Sequence, residues 1–415
     1  MSKKKLKKIN FIDLFSGCGG LSEGFLQSGK YEALAHIDWE LPMVHTLRNR
    51  LIRKWSHKDN DSYKRVIHFD IQKSDELLNG KWNEETKKKY IETNHRSIVQ
   101  KGLKGLIGKQ KIDLIIGGPP CQAYSIAGRA QDKYSMKYDY RNFLFESFIK
   151  VVEEFNPSMF IFENVPGLLS ATPGDIPVTE RIFTAFKKIG YNIRGPKLLK
   201  ESVFKASDFG VPQNRKRVII IGIKSDSKIN LEDIYYDLNL LKSKQKPKNV
   251  FDTIFHLPKF IPLDKSIRIN GKNFSHKMIG IENINHHEAR FHNERDINIF
   301  KHWINNNLNK GTSIEKINFY NNLMGKKSNH AKYRNLEWDE PSPTIVAHLY
   351  KDGLMFLHPD VNQARSITVK EAALLQSFPN DYEFIGSQGN CFKMIGNAVP
   401  PKMAKNIAIA ISKYF

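Results

Sequence analysis

One cysteine stands at a rigid position in the chain. Cys121 directly follows two glycines and two prolines, and these follow the apolar run Ile112 to Ile116. Proline stiffens the backbone, and open α/β sheets bind ligands at the carboxyl ends of their strands. Nearby cations would favour the nucleophilic thiolate: Arg129, Lys133, Lys137 and Arg141. Cys121 is therefore a candidate nucleophile, whereas Cys18 and Cys391 are expected to be small core residues.

A carboxylate ends a second apolar run. Glu163 follows Phe160 to Phe162 and precedes Asn-Val-Pro-Gly. A carboxyl that is partly removed from water can hold a proton near neutrality, so Glu163 is a candidate acid–base residue; a capping carboxylate on the next turn is the alternative. Alternation along an extended segment places Gln213, Arg215 and Arg217 on one face. The two guanidinium groups are expected to converge on one site.

A glycine-rich turn follows the first apolar run. Gly17, Gly19 and Gly20 precede a helical pattern, and such a turn lets a ligand approach the backbone at a helix N-terminus. Asp38 ends the next apolar run, where it would accept hydrogen bonds from a ribose, and Trp39 would stack on adenine. Because the glycines do not form G-x-G-x-x-G, a nucleoside without phosphates fits better than a dinucleotide. S-adenosylmethionine is one such molecule.

The elements that position these residues alternate between strands and helices. Amphipathic spacing predicts helices at Phe143 to Phe155 and Glu180 to Ile189. Apolar runs predict six strands: Ile9 to Phe15, Ala33 to Ile37, Val66 to Phe69, Ile112 to Ile116, Met159 to Phe162 and Val218 to Ile223. The alternation predicts an α/β fold with a mostly parallel sheet.

Two stretches lack that periodicity. Lys73 to Lys111 is polar and lysine-rich, and it is expected to be a solvated insertion. Lys224 to Asn335 is rich in Asn, Lys and His, which predicts a second, smaller and irregular domain. Regular pattern returns as a short helix at Thr368 to Ser377 and a closing helix at Pro401 to Tyr414.

Length and composition narrow the class of protein. The 415 residues suggest two or three packing units. Lys and Arg number 65 against 43 Asp and Glu, a formal charge of +22, so polyanions are the first partners to consider. No apolar run is long enough to span a membrane, and no secretory signal is expected. Three widely separated cysteines suit a reducing interior without a disulfide framework or a zinc site.

The motifs together resemble one family, the DNA (cytosine-5) methyltransferases. Five segments look like its motifs and occur in its order: Phe-Ser-Gly-Cys-Gly-Gly (15 to 20), Gly-Pro-Pro-Cys-Gln (118 to 122), Glu-Asn-Val (163 to 165), Gln-Asn-Arg-Lys-Arg (213 to 217) and Gly-Asn-Ala-Val-Pro-Pro (396 to 401). Residues 365 to 379 look like the penultimate motif. The resemblance implies a Rossmann-like, S-adenosylmethionine-dependent methyltransferase fold that methylates C5 of cytosine in double-stranded DNA.

The resemblance also assigns roles to residues. Cys121 would attack cytosine C6, Glu163 would hydrogen-bond or protonate N3, and Arg217 and Arg215 would steady the ring. The target base would be flipped out of the duplex, under a lid at residues 123 to 141. Residues implied around S-adenosylmethionine are Phe15, Ser16, Gly17, Gly19, Gly20, Asp38, Trp39, Asp70, Ile71, Pro119, Leu144, Asn397 and Ala398. Those implied to contact DNA are Gln122, Ser125, Arg129, Asn164 and Gln213.

Other functions explain fewer of these features. A nicotinamide-dependent dehydrogenase would share the first turn and Asp38 but leaves Pro-Pro-Cys and Glu-Asn-Val unexplained. A non-catalytic DNA-binding homologue would need neither Cys121 nor Glu163. An RNA cytosine-5 methyltransferase is a closer alternative, and the long variable domain favours DNA because a specific duplex site needs many groove contacts.

The resemblance divides the chain into three parts. Residues 1–223 would form the catalytic and cofactor-binding domain, 224–364 the target-recognition domain, and 365–415 the penultimate motif with a C-terminal helix that returns to the catalytic domain. The single catalytic core resembles a bacterial modification enzyme paired with a restriction endonuclease. We therefore expect a cytoplasmic monomer that is held at the nucleoid by DNA and has no membrane partner.

Overall fold

The computed structural model describes residues 7–120, 144–172, 176–243, 246–280, 284–325 and 327–415. Contacts within the chain divide it into two units. The first comprises Met1–Gly210, Lys216–Lys244 and Ala398–Phe415, and the second comprises Val211–Arg215 and Gln245–Asn397.

The described residues form twelve strands and fifteen α-helices. The strands are β1 (Ile9–Leu14), β2 (Tyr31–Asp38), β3 (Val66–His68), β4 (Leu114–Gly117), β5 (Met159–Asn164), β6 (Tyr191–Asn192), β7 (Val203–Lys205), β8 (Gln213–Asn214), β9 (Lys216–Lys224), β10 (Lys259–Ile269), β11 (Lys272–Ile279) and β12 (Ser342–Pro343). The helices are α1 (Gly20–Gln27), α2 (Leu41–Trp55), α3 (Asp59–Arg65), α4 (Ser74–Asn79), α5 (Glu84–Tyr90), α6 (Arg96–Ile107), α7 (Leu144–Phe155), α8 (Val178–Lys188), α9 (Leu231–Leu240), α10 (Val250–Ile254), α11 (Glu294–Asn305), α12 (Ser313–Met324), α13 (Val369–Leu375), α14 (Gln388–Asn397) and α15 (Pro401–Ile411).

The first unit is built on a mixed, mostly parallel sheet. Its strands run in the order β3-β2-β1-β4-β5-β9-β6, and β7 also pairs with β9. The first five strands in this order are mutually parallel, whereas β9 is antiparallel to β5. β4 is buried along its whole length, as expected of a strand covered on both faces. The carboxyl ends of five parallel strands therefore meet at one edge of the sheet.

The six predicted strands and both predicted helices of this unit are confirmed, with ends that differ by a few residues. The prediction of a solvated insertion at Lys73 to Lys111 is wrong. This stretch forms α4, α5 and α6, and it buries Trp82, Tyr90 and Leu103 in the main hydrophobic core. α4 and α5 have only 6 and 7 residues, and the backbone of α6 is kinked at Gly102, so their apolar periods are short or interrupted.

The second unit contains more regular structure than the sequence suggested. It holds the two-stranded ribbon β10–β11 and helices α10 to α14, with Phe300, Trp303 and Leu357 in its core. The prediction of an irregular segment up to Asn335 is therefore wrong. The ribbon is largely exposed, and none of the α12 residues is buried. Neither element therefore needs the regular spacing of apolar residues by which strands and helices are predicted from sequence.

Both predicted C-terminal helices are confirmed as α13 and α15. The unit boundaries differ from the predicted domain boundaries: residues 224–243 pack with the first unit, whereas 211–215 and 365–397 pack with the second. Among the described residues no helix is both long enough and apolar enough to cross a bilayer.

Candidate active site

Glu163 and Arg217 form an ion pair at the end of β5. Glu163 Oε1 lies 2.7 Å from Arg217 Nε, and the two side chains are only 11% and 12% exposed. In the β5–β9 register Glu163 faces Ile219. Arg217 precedes Ile219 by two residues and therefore projects from the same face of the sheet. The structure thus brings together two of the predicted catalytic residues.

The loop after β4 lies directly against this carboxylate. A Cβ atom at Gly118 would be 2.5 Å from Glu163 Oε2, so a larger residue there would displace the carboxylate. Asn164 Nδ2 donates to the Pro119 carbonyl oxygen at 3.3 Å, while its Oδ1 accepts from Val165 N at 2.9 Å. This buried amide therefore joins the ends of two strands, and its predicted DNA contact stays a prediction.

Cys121 follows Gly118 by three residues and lies outside the described residues. Gln122, Ser125, Arg129 and the predicted lid at 123 to 141 lie outside them as well. Their roles stay predictions. The other two cysteines are buried in the hydrophobic interior, as expected, and burial raises the pKa of the Cys391 thiol to about 11.

Asp38 ends β2 beside the glycine turn that follows β1. Its Oδ2 accepts from Gly17 N at 2.8 Å and its Oδ1 from Glu40 N at 2.9 Å. Phe15, Gly17 and Gly19 all have positive φ angles, which fold this turn tightly against the carboxylate. Burial raises the pKa of Asp38 to about 7, against the opposing effect of the two backbone N–H groups. A ribose would offer the hydroxyl donors that this carboxylate can still accept.

Neighbouring strand ends supply the rest of the predicted cofactor pocket in the first unit. Trp39 is 51% exposed, which leaves its ring open for stacking, and Ile71 is buried. Asp70 follows β3 and accepts a hydrogen bond from Gln72 N at 3.1 Å. Leu144 is the first residue of α7 and is buried. A carboxylate at each of two strand ends beside an exposed indole fits a nucleoside ligand.

The start of α1 is packed against the returning C-terminal segment. A Cβ atom at Gly20 would be 2.4 Å from the Val399 carbonyl oxygen and 3.0 Å from Ala398 Cβ. Ala398 therefore lies at the glycine turn, and its contact with the cofactor stays a prediction. Asn397 is exposed and is the last residue of α14 in the second unit, and its role at the cofactor stays a prediction. Ser16 is buried, with its N–H donating to the Ile37 carbonyl at 3.0 Å.

A carboxylate in the first turn of α1 is neutralised by an arginine. Glu23 Oε1 accepts from Arg50 Nη2 at 2.6 Å, and its Oε2 accepts from Arg50 Nε at 3.1 Å. Both side chains are almost fully buried. The N-terminus of α1 can therefore still attract an anionic ligand group.

Gln213 and Arg215 lie in a different environment from Arg217. Gln213 is fully buried, and its side chain donates to the Leu375 carbonyl oxygen and accepts from Ile345 N. Its predicted DNA contact stays a prediction. Arg215 donates to the carbonyl oxygens of Ile345 at 2.9 Å and Gly396 at 3.0 Å. These bonds hold three segments of the second unit together. Arg217 instead pairs with Glu163 in the first unit, so the two guanidinium groups contact different partners.

A buried polar cluster beneath α1 was not predicted from the sequence. Ser22 Oγ donates to Asp13 Oδ2 and lies 3.0 Å from His36 Nδ1. All three residues are at most 1% exposed, and they join α1 to β1 and β2. The cluster therefore fixes the helix that carries the glycine turn. Asp13 and His36 each interrupt an apolar run in the sequence, and this was the signal that could have predicted the cluster.

The predicted penultimate motif forms a buried ionic network within the second unit. Both Glu371 carboxylate oxygens accept from Arg365, at 2.6 and 2.8 Å, and one also accepts from Thr368 N at 2.7 Å. His287 Nδ1 lies 3.0 Å from Thr368 Oγ1, and His358 Nε2 lies 3.7 Å from Glu371 Oε1. These contacts join the motif to His287 and His358 in the rest of the second unit.

Comparison with known proteins identifies the family. Residues 76–413 match the sequence profile of the C-5 cytosine-specific DNA methylases. The chain is 34% identical to Type II methyltransferase M.Bpa9945I of Bacillus paralicheniformis, with 96% of this chain and 98% of that protein covered. It is 30% identical to Type II methyltransferase M.DdeI of Desulfomicrobium norvegicum, with 98% and 89% covered.

Solved structures support the fold. The chain superposes on Schizosaccharomyces pombe Dnmt2 methyltransferase with a TM-score of 0.54 at 15% identity, covering 99% and 100% of the two chains. The mostly parallel sheet described above is thus a Rossmann-like fold shared with that methyltransferase. The chain belongs to the C-5 cytosine-specific DNA methylases and is a DNA (cytosine-5-)-methyltransferase.

Proposed function

We propose that the enzyme transfers the methyl group of S-adenosylmethionine to C5 of a flipped-out cytosine through a covalent adduct with Cys121. The observation that carries this proposal is the Glu163–Arg217 ion pair packed against Gly118. It holds a carboxylate beside the loop that leads into Cys121, at the sheet edge where open α/β folds bind ligands.

The chemistry needs both a nucleophile and a partner for the ring nitrogen. The Cys121 thiolate forms a C–S bond at cytosine C6, and the displaced electron pair makes C5 nucleophilic. In its protonated form the Glu163 carboxyl donates a proton or a hydrogen bond at N3 and so disperses the negative charge that develops on the ring, and it takes the proton back when the C–S bond breaks. After C5 takes the methyl group, its proton leaves to a base, the C–S bond breaks and the 5,6 double bond returns.

The residues at the ends of β1, β2 and β3 suit S-adenosylmethionine, whose sulfonium supplies an electrophilic methyl group when bound. Asp38 would accept from the ribose hydroxyls, Trp39 would stack on adenine, and Asp70 would accept from the adenine amino group. The N-terminus of α1 would attract the carboxylate of the methionine part. The match rests on the buried carboxylate of Asp38 and the exposed Trp39 ring.

DNA is engaged by parts of the chain outside this pocket. A cytosine stacked inside a duplex hides C5 and C6, so the base must turn out before Cys121 can reach it. The formal charge of +22 suits phosphate contacts. We assign target recognition to residues within 224–364 and closure over the base to residues 123 to 141.

Several relatives are named Type II methyltransferases. On that basis we propose that this enzyme protects bacterial DNA from a cognate restriction endonuclease.

Bisulfite sequencing of DNA and RNA from a bacterial host that expresses the chain tests the proposal. We expect 5-methylcytosine at one position of one short DNA sequence, and none when Cys121→Ser replaces the wild type. Methylation confined to RNA would instead establish the alternative substrate.

A further inference from the structure

The ribbon formed by β10 and β11 is fixed at its base and uncovered at its tip. At the base, Phe260 N donates to Gln363 Oε1 at 3.0 Å, and His276 Nε2 lies 2.9 Å from the Gln363 carbonyl oxygen. Phe260 and His276 are both buried. By contrast, every residue from 264 to 273 is exposed. A ribbon with a fixed base and an exposed tip can place the side chains of its tip against a binding partner.

The register of the strands sorts the tip into two faces. Arg268 pairs with Asn273, whereas Ile267 pairs with Phe274 and Ile269 with Lys272. Directly paired residues share a face and successive residues alternate. Arg268 and Asn273 therefore share one face, and the two isoleucines share the other.

The tip combines positive charge with uncovered apolar side chains. Ile267 is 46% and Ile269 is 51% exposed, and exposed apolar groups on a free ribbon favour association with another surface. Between 259 and 279 the ribbon has one acidic residue, Asp264, and five basic ones: Lys259, Lys265, Arg268, Lys272 and Lys277. Lys259 and Lys272 form ion pairs with Asp360 and Glu288 outside the ribbon, so the excess positive charge that favours a polyanion is carried by Lys265, Arg268 and Lys277.

We propose that the ribbon tip enters the major groove of duplex DNA and that Arg268 and Asn273 determine which sequence is methylated. The inference rests on the proposed function and names the recognition element. The major groove, about 12 Å wide, admits a two-stranded ribbon. Arginine can bond guanine O6 and N7, asparagine can bond adenine N6 and N7, and apolar groups can contact the thymine methyl.

The test uses the full chain, a plasmid library with randomised sequence and S-adenosylmethionine, followed by bisulfite sequencing. The wild type first defines the site. Arg268→Ala should then relax discrimination at one base position by about 5- to 150-fold, and Asn273→Ala should do so at another. The matched control is Arg295→Ala, on α11, where the arginine is exposed and pairs with Asp296. It should leave the site unchanged, and all three variants should retain the wild-type S-adenosylmethionine affinity and melting temperature.

The outcomes separate this inference from the proposed function. A wild type that methylates no cytosine in duplex DNA would overturn both. If the wild type has a defined site and both ribbon variants keep it, only the ribbon assignment fails. Equal slowing on all sequences would also overturn it, because that pattern marks phosphate contacts. Self-association that disappears in Ile267→Thr/Ile269→Thr, with the site preserved, would show that a second copy of the chain covers the tip.

Discussion

The two units bury carboxylates in opposite ways. Glu371, in the second unit, receives both arms of Arg365 and the Thr368 N–H. Burial alone would raise its pKa, but the arginine holds the pKa well below its usual range. Asp38, in the first unit, receives two backbone N–H groups, and burial raises its pKa to about 7. Glu371 is committed to the fold, whereas Asp38 retains capacity for a ligand.

Buried histidines are a further difference between the two units. In the second unit burial lowers the pKa of His276 to about 4, and that of His292 and His358 to about 3. These rings are neutral in the folded protein at neutral pH, and they accept protons more readily when the chain unfolds. The second unit therefore depends on uncharged histidines and a saturated ion pair, in contrast to the ligand site of the first unit.

Lowering the pH should give the largest difference in stability between the two units. The lowered histidine pKa values give stability that is present above about pH 6.5 and is lost as pH falls towards 3. The loss would be about 2 kcal/mol for each histidine by pH 5. The raised pKa of Asp38 acts in the opposite sense, because its contribution increases as pH falls from 7 to 3.8. Hydrogen exchange at pH 7 and pH 5 should show protection lost first in peptides of α11 and α13. Earlier loss in β1 and β2 would contradict the comparison.

Arg365→Met should destabilise the second unit by about 3–5 kcal/mol, because it leaves the buried Glu371 carboxylate without its partner. Denaturant unfolding measures this change. The exposed Arg295, replaced by Met, is the matched control and should alter stability by less than about 0.5 kcal/mol. Equal effects of the two substitutions would show that the buried network does not support the fold.

Asp38→Ala should weaken S-adenosylmethionine binding by about 1.5–3 kcal/mol through loss of charge-assisted hydrogen bonds. Isothermal titration calorimetry measures the affinity. Asp226→Ala is the control and should leave the affinity unchanged. Asp226 follows β9, whose Ile223 pairs with the first residue of β5, so it lies at the edge of the sheet opposite to Asp38. Unchanged affinity in the Asp38 variant would remove this residue from the cofactor site.

A smaller effect should appear in the pH dependence of cofactor binding. Ribose hydroxyls need the carboxylate of Asp38 as acceptor, so affinity should increase with pH up to about 7, by at most about tenfold per pH unit. Above pH 8 it should be constant. Asp38→Asn should abolish this slope over pH 6 to 8, whereas a slope that persists in the variant would belong to another group.

The sheet could be predicted from the sequence because its strands are local apolar runs. The network around Arg365 could not, since His287 and Thr368 are 81 residues apart in the chain, and His276 and Gln363 are 87 apart. Motif matching located Glu163 and Asn164 but could not show which groups each side chain contacts. The ion pair with Arg217 and the hydrogen bond to Pro119 became visible only in the structure.

The central claim is covalent catalysis by Cys121, and a fluorinated substrate tests it most directly. After methyl transfer the adduct resolves only when a proton leaves C5, and fluorine cannot leave in that way. Duplex DNA with 5-fluorocytosine at the mapped position should therefore give a protein–DNA adduct that survives denaturing electrophoresis, provided that S-adenosylmethionine is present. Cys121→Ala should give none. An adduct that persists in this variant, or that peptide mapping places at Cys18 or Cys391, would contradict the account.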